Sequence, residues 1–261
     1  MTMICNEKNG LKYYTFRSFE NEGIKHGFFT RQGGISPKPF ESLNMATTGG
    51  DSAANVLENL RRMFSVFDLN LYSRYDGWQV HGDTIICTDK PRNLNSRSLK
   101  ADGLISNNVN VTLVMRFGDC VPVLLFDKVT KTIGIYHAGW PGTIKKIGAR
   151  MVEKMQLLYG TDPGNIIAGI GPSIGPDHFE VKSDVLIPFE KKFSEWKNEI
   201  IQMKEEKYYI DLWKTNRLIL ESVGVKQIEV AEICTYCHSD EWFSNRAEKG
   251  NTGRFGVLIS L

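Results

Sequence analysis

The chain has 261 residues, of which 41% are hydrophobic and 24% are charged, so it is long enough to bury a full core and is expected to form one catalytic domain over residues 1–261. Its net charge of +2, with basic and acidic residues interleaved, argues against nucleic acid or an anionic membrane as a partner. We expect a small-molecule ligand and a monomeric protein.

The amino terminus lacks the charged start, apolar run and small-residue cleavage site of a secretory signal, and no stretch approaches eighteen consecutive apolar residues. The cysteines fall at irregular intervals, namely Cys5, Cys87, Cys120, Cys234 and Cys237. Such spacing favours a reducing compartment, where thiols bind metal or pack, over a disulfide framework. We therefore predict a cytoplasmic location.

The first predicted elements are two strands, over residues 11–16 and 25–30, joined by a polar turn. The second strand leads into a glycine-rich loop at residues 31–37, which carries Arg31. Such a loop can direct backbone N–H groups and a guanidinium at an anion, or it can be a mobile turn. The sequence leaves both interpretations open.

A helix is predicted from a cap at Asp51 through about Phe67, because apolar residues recur there at helical spacing. Residues 76–80 then predict a strand, which would deliver Gln79 and His81 to a site at its end.

Three apolar runs follow one another between residues 111 and 137. Cys120 lies between the first two runs and His137 closes the third, so both are expected at the ends of strands, where α/β sheets present their ligands. The polar tract at residues 89–100, which precedes these runs, is expected to be a long surface loop that can lie over the site.

Helices and strands alternate in the rest of the chain. A helix is predicted to begin at Pro141 and end at Gly160, and a strand at residues 166–169 completes a parallel strand–helix–strand crossover. Residues 169–176 match neither a dinucleotide fingerprint nor a P-loop, and form either a rigid double turn near a ligand or a structural turn. The remaining predicted elements are helices at 183–193 and 211–223 and strands at 228–233 and 255–260. This order predicts an α/β fold in which helices cover a mixed sheet.

Two imidazoles and one thiolate form a candidate metal site, His81, Cys120 and His137. Zinc prefers these ligand types, and three protein ligands leave a fourth position open, which is typical of catalytic zinc. Two alternatives stay open: a buried, inert cysteine, and a Cys120 nucleophile activated by one of the histidines. A zinc ion that only closes the fold is disfavoured, because the three residues lie far apart in sequence.

Residues 234–238, Cys-Thr-Tyr-Cys-His, match the pattern of covalent c-type haem attachment. That modification requires an exported chain, so we do not expect haem here. A thioredoxin-like redox pair is disfavoured as well, because no helix with an early proline follows. Cys234, Cys237 and His238 are left without a predicted role.

The chain resembles one known family through a set of motifs in fixed order between about Phe28 and Phe255. The motifs are Phe29-Thr30-Arg31-x-Gly33-Gly34-x-Ser36, Ser42-Leu43-Asn44, Gln79-Val80-His81-Gly82, Ala101-Asp102-Gly103, Gly118-Asp119-Cys120-x-Pro122, His137-Ala138-Gly139-Trp140-x-Gly142, Gly171-Pro172, Phe243-Ser244-x-Arg246 and Gly253-Arg254. In this order they resemble the YfiH-like, laccase-domain family of purine nucleoside phosphorylases.

The resemblance implies a YfiH-like fold and a zinc ion held by His81, Cys120 and His137. It also implies phosphorolysis of adenosine, inosine, guanosine and methylthioadenosine, together with deamination of adenosine. The catalytic candidates are Cys120, His81 and Asp119, the last as a proton shuttle or as support for the neighbouring ligand. The candidates for binding substrate or phosphate are Arg31, Asn44, Gln79, Arg246 and Arg254, and the sequence does not rank the three arginines.

Members of this family carry an older label, polyphenol oxidase, and some bacterial members are associated with editing cell-wall precursors. A multicopper oxidase fills several copper centres mostly with histidine, whereas this chain has five histidines and no His-x-His pair. A single blue-copper site with Met115 as axial ligand stays open as an alternative to zinc. A cysteine hydrolase or amidase acting on a cell-wall precursor is the other alternative. We expect about one zinc ion per chain.

Overall fold

The computed structural model describes residues 3–93 and 95–261. Its strands are β1 (Met3–Lys8), β2 (Leu11–Phe16), β3 (Lys25–Phe29), β4 (Arg74–Asp76), β5 (Ile85–Cys87), β6 (Gly103–Ser106), β7 (Thr112–Phe117), β8 (Val121–Asp127), β9 (Thr132–Ala138), β10 (Ile166–Ile170), β11 (Glu180–Val181), β12 (Ile201–Lys204), β13 (Lys207–Ile210), β14 (Gln227–Val230) and β15 (Phe255–Ser260). Its α-helices are α1 (Arg17–Asn21), α2 (Ala53–Ser65), α3 (Trp140–Ile144), α4 (Ile147–Tyr159), α5 (Ser183–Lys192), α6 (Lys197–Ile200) and α7 (Leu212–Ser222).

Two six-stranded sheets form the framework. The first has the strand order β1-β2-β3-β15-β7-β4, and the second has the order β14-β10-β8-β9-β6-β5. Most neighbouring strands are antiparallel, but β4 is parallel to β7, β5 to β6 and β10 to β14, so both sheets are mixed. A small third sheet has the order β11-β13-β12. The predicted mixed α/β fold is confirmed, with two large sheets where the sequence indicated one.

The two large sheets pack face to face around a shared core. Leu113 and Met115 of β7 point into this core, whereas Val114 between them packs on the opposite face of the same sheet. Leu124 and Phe126 of β8 enter the shared core from the second sheet. The alternation of side chains along each strand therefore divides the apolar residues between two layers.

Helices cover the outer faces of this sandwich. α2 packs on the first sheet through Val56, Leu60 and Phe64. α4 and α7 pack on the second sheet through apolar residues that include Met151 and Ile219. The result is a helix–sheet–sheet–helix arrangement in which each sheet has apolar contacts on both faces.

The predicted cap of α2 was placed one residue early. The Ser52 side chain accepts the backbone N–H of Asn55 at 3.1 Å, so Ser52 is the N-cap and the helix begins at Ala53. Asp51 instead accepts the Ser52 N–H and the Asn55 side-chain amide.

The helix predicted from Pro141 to Gly160 is two helices. Lys146 has a φ of 54°, in the left-handed region, and separates α3 from α4. Its ammonium lies 5.3 Å from the ring centroid of Trp196, a contact that holds the chain at this break. Gly160 ends α4 in the left-handed conformation, as predicted.

Two predictions about strand geometry need correction. The strand predicted over residues 76–80 ends at Asp76, because the Gln79 side chain, not its backbone, pairs with the backbone of Arg116 on β7 (2.7 and 2.9 Å). The strands β9 and β10 run parallel, but β8 lies between them and is antiparallel to both.

Residues 89–100 contain neither helix nor strand where the structure describes them, and Leu94 lies outside the described residues. Arg92, Arg97 and Ser98 of this tract line the cavity described below, as the prediction of a loop over the site requires.

None of the helices in the described part of the chain has the length and apolar character needed to cross a bilayer.

Candidate active site

A cavity of about 1280 Å³ opens where β7 turns into β8. Its charged wall contains many more cations than anions. The arginines are Arg61, Arg74, Arg92, Arg97, Arg116, Arg246 and Arg254, and the carboxylates are Asp76 and Asp119. This excess of positive charge favours an anionic ligand or co-substrate.

The three candidate metal ligands meet at the wall of this cavity. The ligand atoms of His81, Cys120 and His137 all lie within 4.8 Å of one another. Cys120 lies in the turn between β7 and β8, and His137 lies on β9 opposite Pro122 of β8. His137 is buried, Cys120 is half-buried and His81 is exposed, so the cluster reaches from the core to the open cavity.

Close packing around the cluster requires a glycine in the turn before α3. A Cβ atom on Gly139 would lie 3.0 Å from both the Cys120 Sγ and the His81 Cδ2. Any larger residue would therefore push the thiol and the imidazole apart.

One buried carboxylate, Asp102, positions both histidines. It lies 2.9 Å from the Nδ1 of His137, and because a carboxylate only accepts, this nitrogen carries the proton. The same carboxylate accepts three consecutive backbone N–H groups, from Val80, His81 and Gly82, at 3.2, 3.0 and 2.7 Å. These bonds hold the turn in which His81 has a φ of 57°. Asp102 belongs to the quoted Ala-Asp-Gly motif, but sequence reasoning gave it no role.

Cys120 and His137 form a charged pair in the metal-free protein. Burial raises the pKa of the Cys120 thiol, but the His137 charge and hydrogen bonds from both histidines outweigh it and lower that pKa to about 6. Burial lowers the pKa of His137, but the Cys120 thiolate and the Asp102 carboxylate outweigh it and raise that pKa to about 9. Between these values the thiol is ionised and the imidazole is protonated.

The lowered thiol pKa predicts reactive Cys120 at mildly acidic pH. In metal-free protein, alkylation of the Cys120 peptide by iodoacetamide should be half-maximal near pH 6, because the thiolate persists above that pH. His137→Gln should move the midpoint upward, toward the ordinary thiol value of about 8.5. A wild-type midpoint above pH 8 would contradict the charged pair.

The cluster fits a zinc ion by its chemistry. Two imidazole nitrogens and one thiolate sulfur are zinc ligands, and the thiol is ionised without metal. A ligand histidine usually donates its other ring N–H to a carboxylate, as His137 does to Asp102. The same Cys120–His137–Asp102 arrangement also suits a cysteine nucleophile.

Asp119 lines the cavity beside Cys120, and both of its carboxylate oxygens have partners. One oxygen accepts the Thr235 hydroxyl at 2.7 Å, and the other accepts the backbone N–H of Arg246 at 2.6 Å. Asp119 has a φ of 82°, an uncommon conformation for a residue other than glycine. These contacts tie the turn that carries Cys120 to the carboxyl-terminal segment.

Arg246 and Arg254 both line the cavity, and their guanidinium groups donate hydrogen bonds to neutral oxygens. Arg246 donates to the carbonyl oxygens of His178 and Glu180 at 3.0 and 3.1 Å. Arg254 donates to two carbonyl oxygens and to the Asn245 side chain, and its Cδ would lie 3.0 Å from a Cβ on Gly118. Their charges are therefore oriented by the chain, and neither is paired with a carboxylate of residues 3–93 or 95–261.

Arg31 lies outside the cavity wall. Its guanidinium donates to the Glu248 carboxylate and to the Glu41 and Ser239 carbonyl oxygens, and it stacks 4.4 Å from the Phe243 ring centroid. Backbone N–H groups of the glycine-rich loop at residues 31–37 donate hydrogen bonds within the fold. For example, the Gly34 N–H donates to the Ser42 hydroxyl at 3.0 Å. These contacts favour the turn interpretation of that loop.

Asn44 and Gln79 also have structural partners. Asn44 is buried, donates to Asp51 and accepts the backbone N–H of Arg254, so it supports the cavity wall through the backbone and is not part of its lining. Gln79 lines the cavity, but both ends of its amide pair with the backbone of Arg116.

A second group of cavity residues was missed by sequence reasoning. The buried Asp76 binds Arg92 at 2.6 Å, Arg116 at a shorter distance and Arg74 at 3.6 Å. Burial raises the pKa of Asp76, but the three guanidinium groups outweigh it and lower that pKa. Exposed aromatic side chains, Tyr72 and Trp78, also face the cavity. No motif signalled these residues, because they meet only in the folded chain.

Comparison with known proteins assigns this chain to a family. The sequence profile of the family described as multi-copper polyphenol oxidoreductase laccase matches residues 25–261. The chain belongs to this family. The predicted membership of the YfiH-like, laccase-domain family is thereby confirmed.

Several relatives of this laccase-domain protein cover nearly its whole length. Purine nucleoside phosphorylase YlmD of Bacillus subtilis (strain 168) is 35% identical over 254 residues, which span 92% of this chain and 90% of that protein. Purine nucleoside phosphorylase YfiH of Escherichia coli (strain K12) is 35% identical over 92% of this chain and 95% of its own length. The crystal structure of YlmD from Geobacillus stearothermophilus superimposes with a TM-score of 0.91 at 30% identity, over 99% of this chain and 98% of that one.

This laccase-domain chain has few of the residues that the copper centres named in the family description would require. Its five histidines are too few for the several histidine-rich centres of a multicopper oxidase. Met115, the candidate axial ligand of a blue-copper site, packs in the core between the two sheets.

Proposed function

We propose that this protein is a zinc-dependent purine nucleoside phosphorylase that acts on adenosine, inosine, guanosine and methylthioadenosine and also deaminates adenosine. The observation that carries the proposal is one cavity shared by the His81–Cys120–His137 cluster and by two arginines that have no carboxylate partner among the residues the structure describes. The names of the relatives at 35% identity support the same reaction class. Five unpaired cysteines support a reducing, cytoplasmic location.

The cavity offers complementary surfaces for a nucleoside and phosphate. The exposed rings of Tyr72 and Trp78 provide flat apolar surfaces on which a purine can stack. Arg246 and Arg254 can bind phosphate through planar, charge-assisted hydrogen bonds. We therefore assign the phosphate to these two arginines and not to Arg31, which already pairs with Glu248.

In phosphorolysis, a phosphate oxygen forms a bond to the anomeric carbon of the sugar while the bond from that carbon to the purine nitrogen breaks. The purine leaves with the electron pair and takes up a proton, and the other product is the sugar 1-phosphate. Positive charge develops on the sugar, so phosphate held beneath it by Arg246 and Arg254 both attacks and stabilises that charge.

The residues around the cluster have separate roles in this proposal. A bound zinc ion would supply Lewis acidity for the deamination and for polarising the substrate. Asp102 fixes the orientation of His137 and the turn of His81, and the ionised Cys120 provides negative charge at the metal position. Asp119 holds the backbone of Arg246 and thereby places the phosphate-binding guanidinium.

The phosphate assignment predicts a specific kinetic defect. Arg246→Gln and Arg254→Gln should each raise the KM for phosphate by roughly 10- to 100-fold, because a charge-assisted hydrogen bond of about 1.5–3 kcal/mol is lost. Arg217→Gln is the matched control, since Arg217 lies on α7, outside the cavity lining, and pairs with Glu221 at 2.8 Å. Its KM should stay unchanged. An unchanged phosphate KM in both cavity variants would move the phosphate site elsewhere.

The reaction class is tested by omitting phosphate. Purified zinc-loaded protein with inosine should release hypoxanthine only when phosphate is present, whereas deamination of adenosine should continue without phosphate. Release of base without phosphate would show hydrolysis instead.

A second candidate function is a cysteine amidase acting on a cell-wall precursor. The Cys120 thiolate, with His137 2.9 Å from Asp102, has the order of groups that such an enzyme uses. Hydrolysis of an amide-linked precursor by metal-free protein, with no cleavage of any purine nucleoside, would favour this candidate.

A further inference from the structure

A second cluster of soft ligands lies outside the site described above. The ligand atoms of His178, Cys234 and Cys237 all lie within 4.8 Å of one another. Cys234 is buried, His178 is half-buried and Cys237 is exposed, so the cluster is accessible from solvent on one side. Sequence analysis left both cysteines without a role.

The distances in this cluster suit a bound metal. The His178 Nδ1 lies 3.8 Å from the Cys234 Sγ and 3.5 Å from the Cys237 Sγ. Zinc–sulfur bonds of about 2.3 Å and zinc–nitrogen bonds of about 2.0–2.1 Å, at a tetrahedral angle, place sulfur and nitrogen about 3.5 Å apart. Two residues between the cysteines is also a common spacing for paired zinc ligands.

Neighbouring groups support a thiolate-bound cation. The backbone N–H of Gly175 donates to the Cys234 Sγ at 3.1 Å, which stabilises negative charge on that sulfur. The Asp177 carboxylate lies 2.9 Å from the same His178 nitrogen and adds a further negative charge beside the cluster. A histidine nitrogen directed at both sulfurs distinguishes this arrangement from a simple dithiol pair.

We propose that His178, Cys234 and Cys237 form a second binding site for a zinc-like divalent cation, separate from the His81–Cys120–His137 cluster. Its fourth position is taken by water or by Asp177. The bound ion joins the turn before β11 to the segment after β14, which are far apart in sequence.

The second site also supports one wall of the main cavity. The carbonyl oxygen of His178 accepts the Arg246 guanidinium at 3.0 Å, and that guanidinium lies 5.6 Å from the ring centroid of Phe179. The ion would therefore order the segment against which Arg246 rests. This consequence rests on the proposed function, but the metal site itself does not.

Metal content tests the site directly. Reduced, zinc-loaded wild-type protein passed over a gel-filtration column should retain two zinc ions per chain, one more than the sequence alone predicted. Cys120→Ser and Cys237→Ser should each lose one of them, and the double variant should lose both. Cys5→Ser and His238→Gln are matched controls, because Cys5 is an exposed thiol on β1 and His238 is adjacent in sequence but lies outside both clusters. Both controls should retain two.

A stability measurement separates this site from the main cluster. In Cys120→Ser, zinc at a hundredfold excess over its Kd should still raise Tm by about 5 °C or more, since only the second site can bind it. Cys120→Ser/Cys237→Ser should show no such rise. Wild-type zinc content in folded Cys237→Ser, or only one zinc ion per chain in reduced wild-type protein, would overturn the proposal. Neither outcome depends on whether the protein cleaves nucleosides.

Discussion

Replacing Cys120 with serine should remove zinc from the main cluster and reduce nucleoside turnover to background. Serine offers a hard and mostly protonated oxygen in place of a soft sulfur that is already ionised in the fold. Out of a whole-site binding free energy of roughly 10–16 kcal/mol, we expect a loss of about 4 kcal/mol, or roughly a thousandfold in zinc affinity. Competition with a chelator measures the affinity, and inosine cleavage measures the turnover.

Cys87→Ser is the matched control for this experiment. Cys87 is another half-buried cysteine, on β5, and it belongs to neither ligand cluster. Its serine variant should keep wild-type zinc affinity and turnover. If Cys120→Ser binds zinc as tightly as wild type and yet has no turnover, the thiol acts as a nucleophile and the metal assignment is wrong.

Asp102→Asn should damage both stability and zinc binding. The amide can offer one oxygen where the carboxylate offered two, so at least one of the N–H groups of residues 80–82, which are partly buried, loses its acceptor. A fully buried donor without an acceptor costs about 1–3 kcal/mol and a partly buried one costs less, so we expect the free energy of unfolding to fall by about 1–2 kcal/mol. Zinc affinity should fall by roughly 10- to 100-fold, because His137 loses the carboxylate that orients it.

Asp127→Asn separates these two effects. Asp127 is equally buried, at the end of β8, and accepts the backbone N–H of Val129 and the hydroxyl of Thr130. Its asparagine variant should lose about 1–3 kcal/mol of unfolding free energy without any change in zinc affinity. Equal losses of zinc affinity in the two variants would show that Asp102 has no specific role at the cluster.

The strands of the central region were predictable because their physical signal is local. The runs between residues 111 and 137 are apolar and bounded by polar turns, and each of the three runs becomes a strand, namely β7, β8 and β9. The helix caps were less predictable. Ser52 and Asp51 are both good cap residues, and only the direction of the two side chains decides which one accepts the N–H of Asn55.

The pairing of the strands could not be predicted from local signals. Two parallel strands joined by a helix are often neighbours, but here β8 lies between β9 and β10 because β8 and β9 form a hairpin. The division into two sheets depends on which strands pair with one another although they are far apart in sequence. No short sequence motif indicates that pairing.

The contacts of the candidate site, like the strand pairing, depend on residues that are far apart in sequence. Arg31 belongs to a glycine-rich loop and was a reasonable anion ligand, but its partner Glu248 is more than two hundred residues away in sequence. Asp102 was visible as a motif residue, yet its role depends on the convergence of His137 and the His81 turn on one carboxylate. Cys237 lacked a role because its partner His178 carries no motif of its own.

We propose that this protein uses a metal bound at Cys120, His81 and His137 to cleave purine nucleosides with phosphate. The most direct measurement is ³¹P NMR of inosine and inorganic phosphate incubated with zinc-depleted protein, before and after zinc is restored. We predict no new signal before zinc addition and a ribose 1-phosphate resonance afterwards, matched in amount by free hypoxanthine and absent with Cys120→Ser. An unchanged phosphate resonance in folded, zinc-replete wild-type protein would contradict the claim.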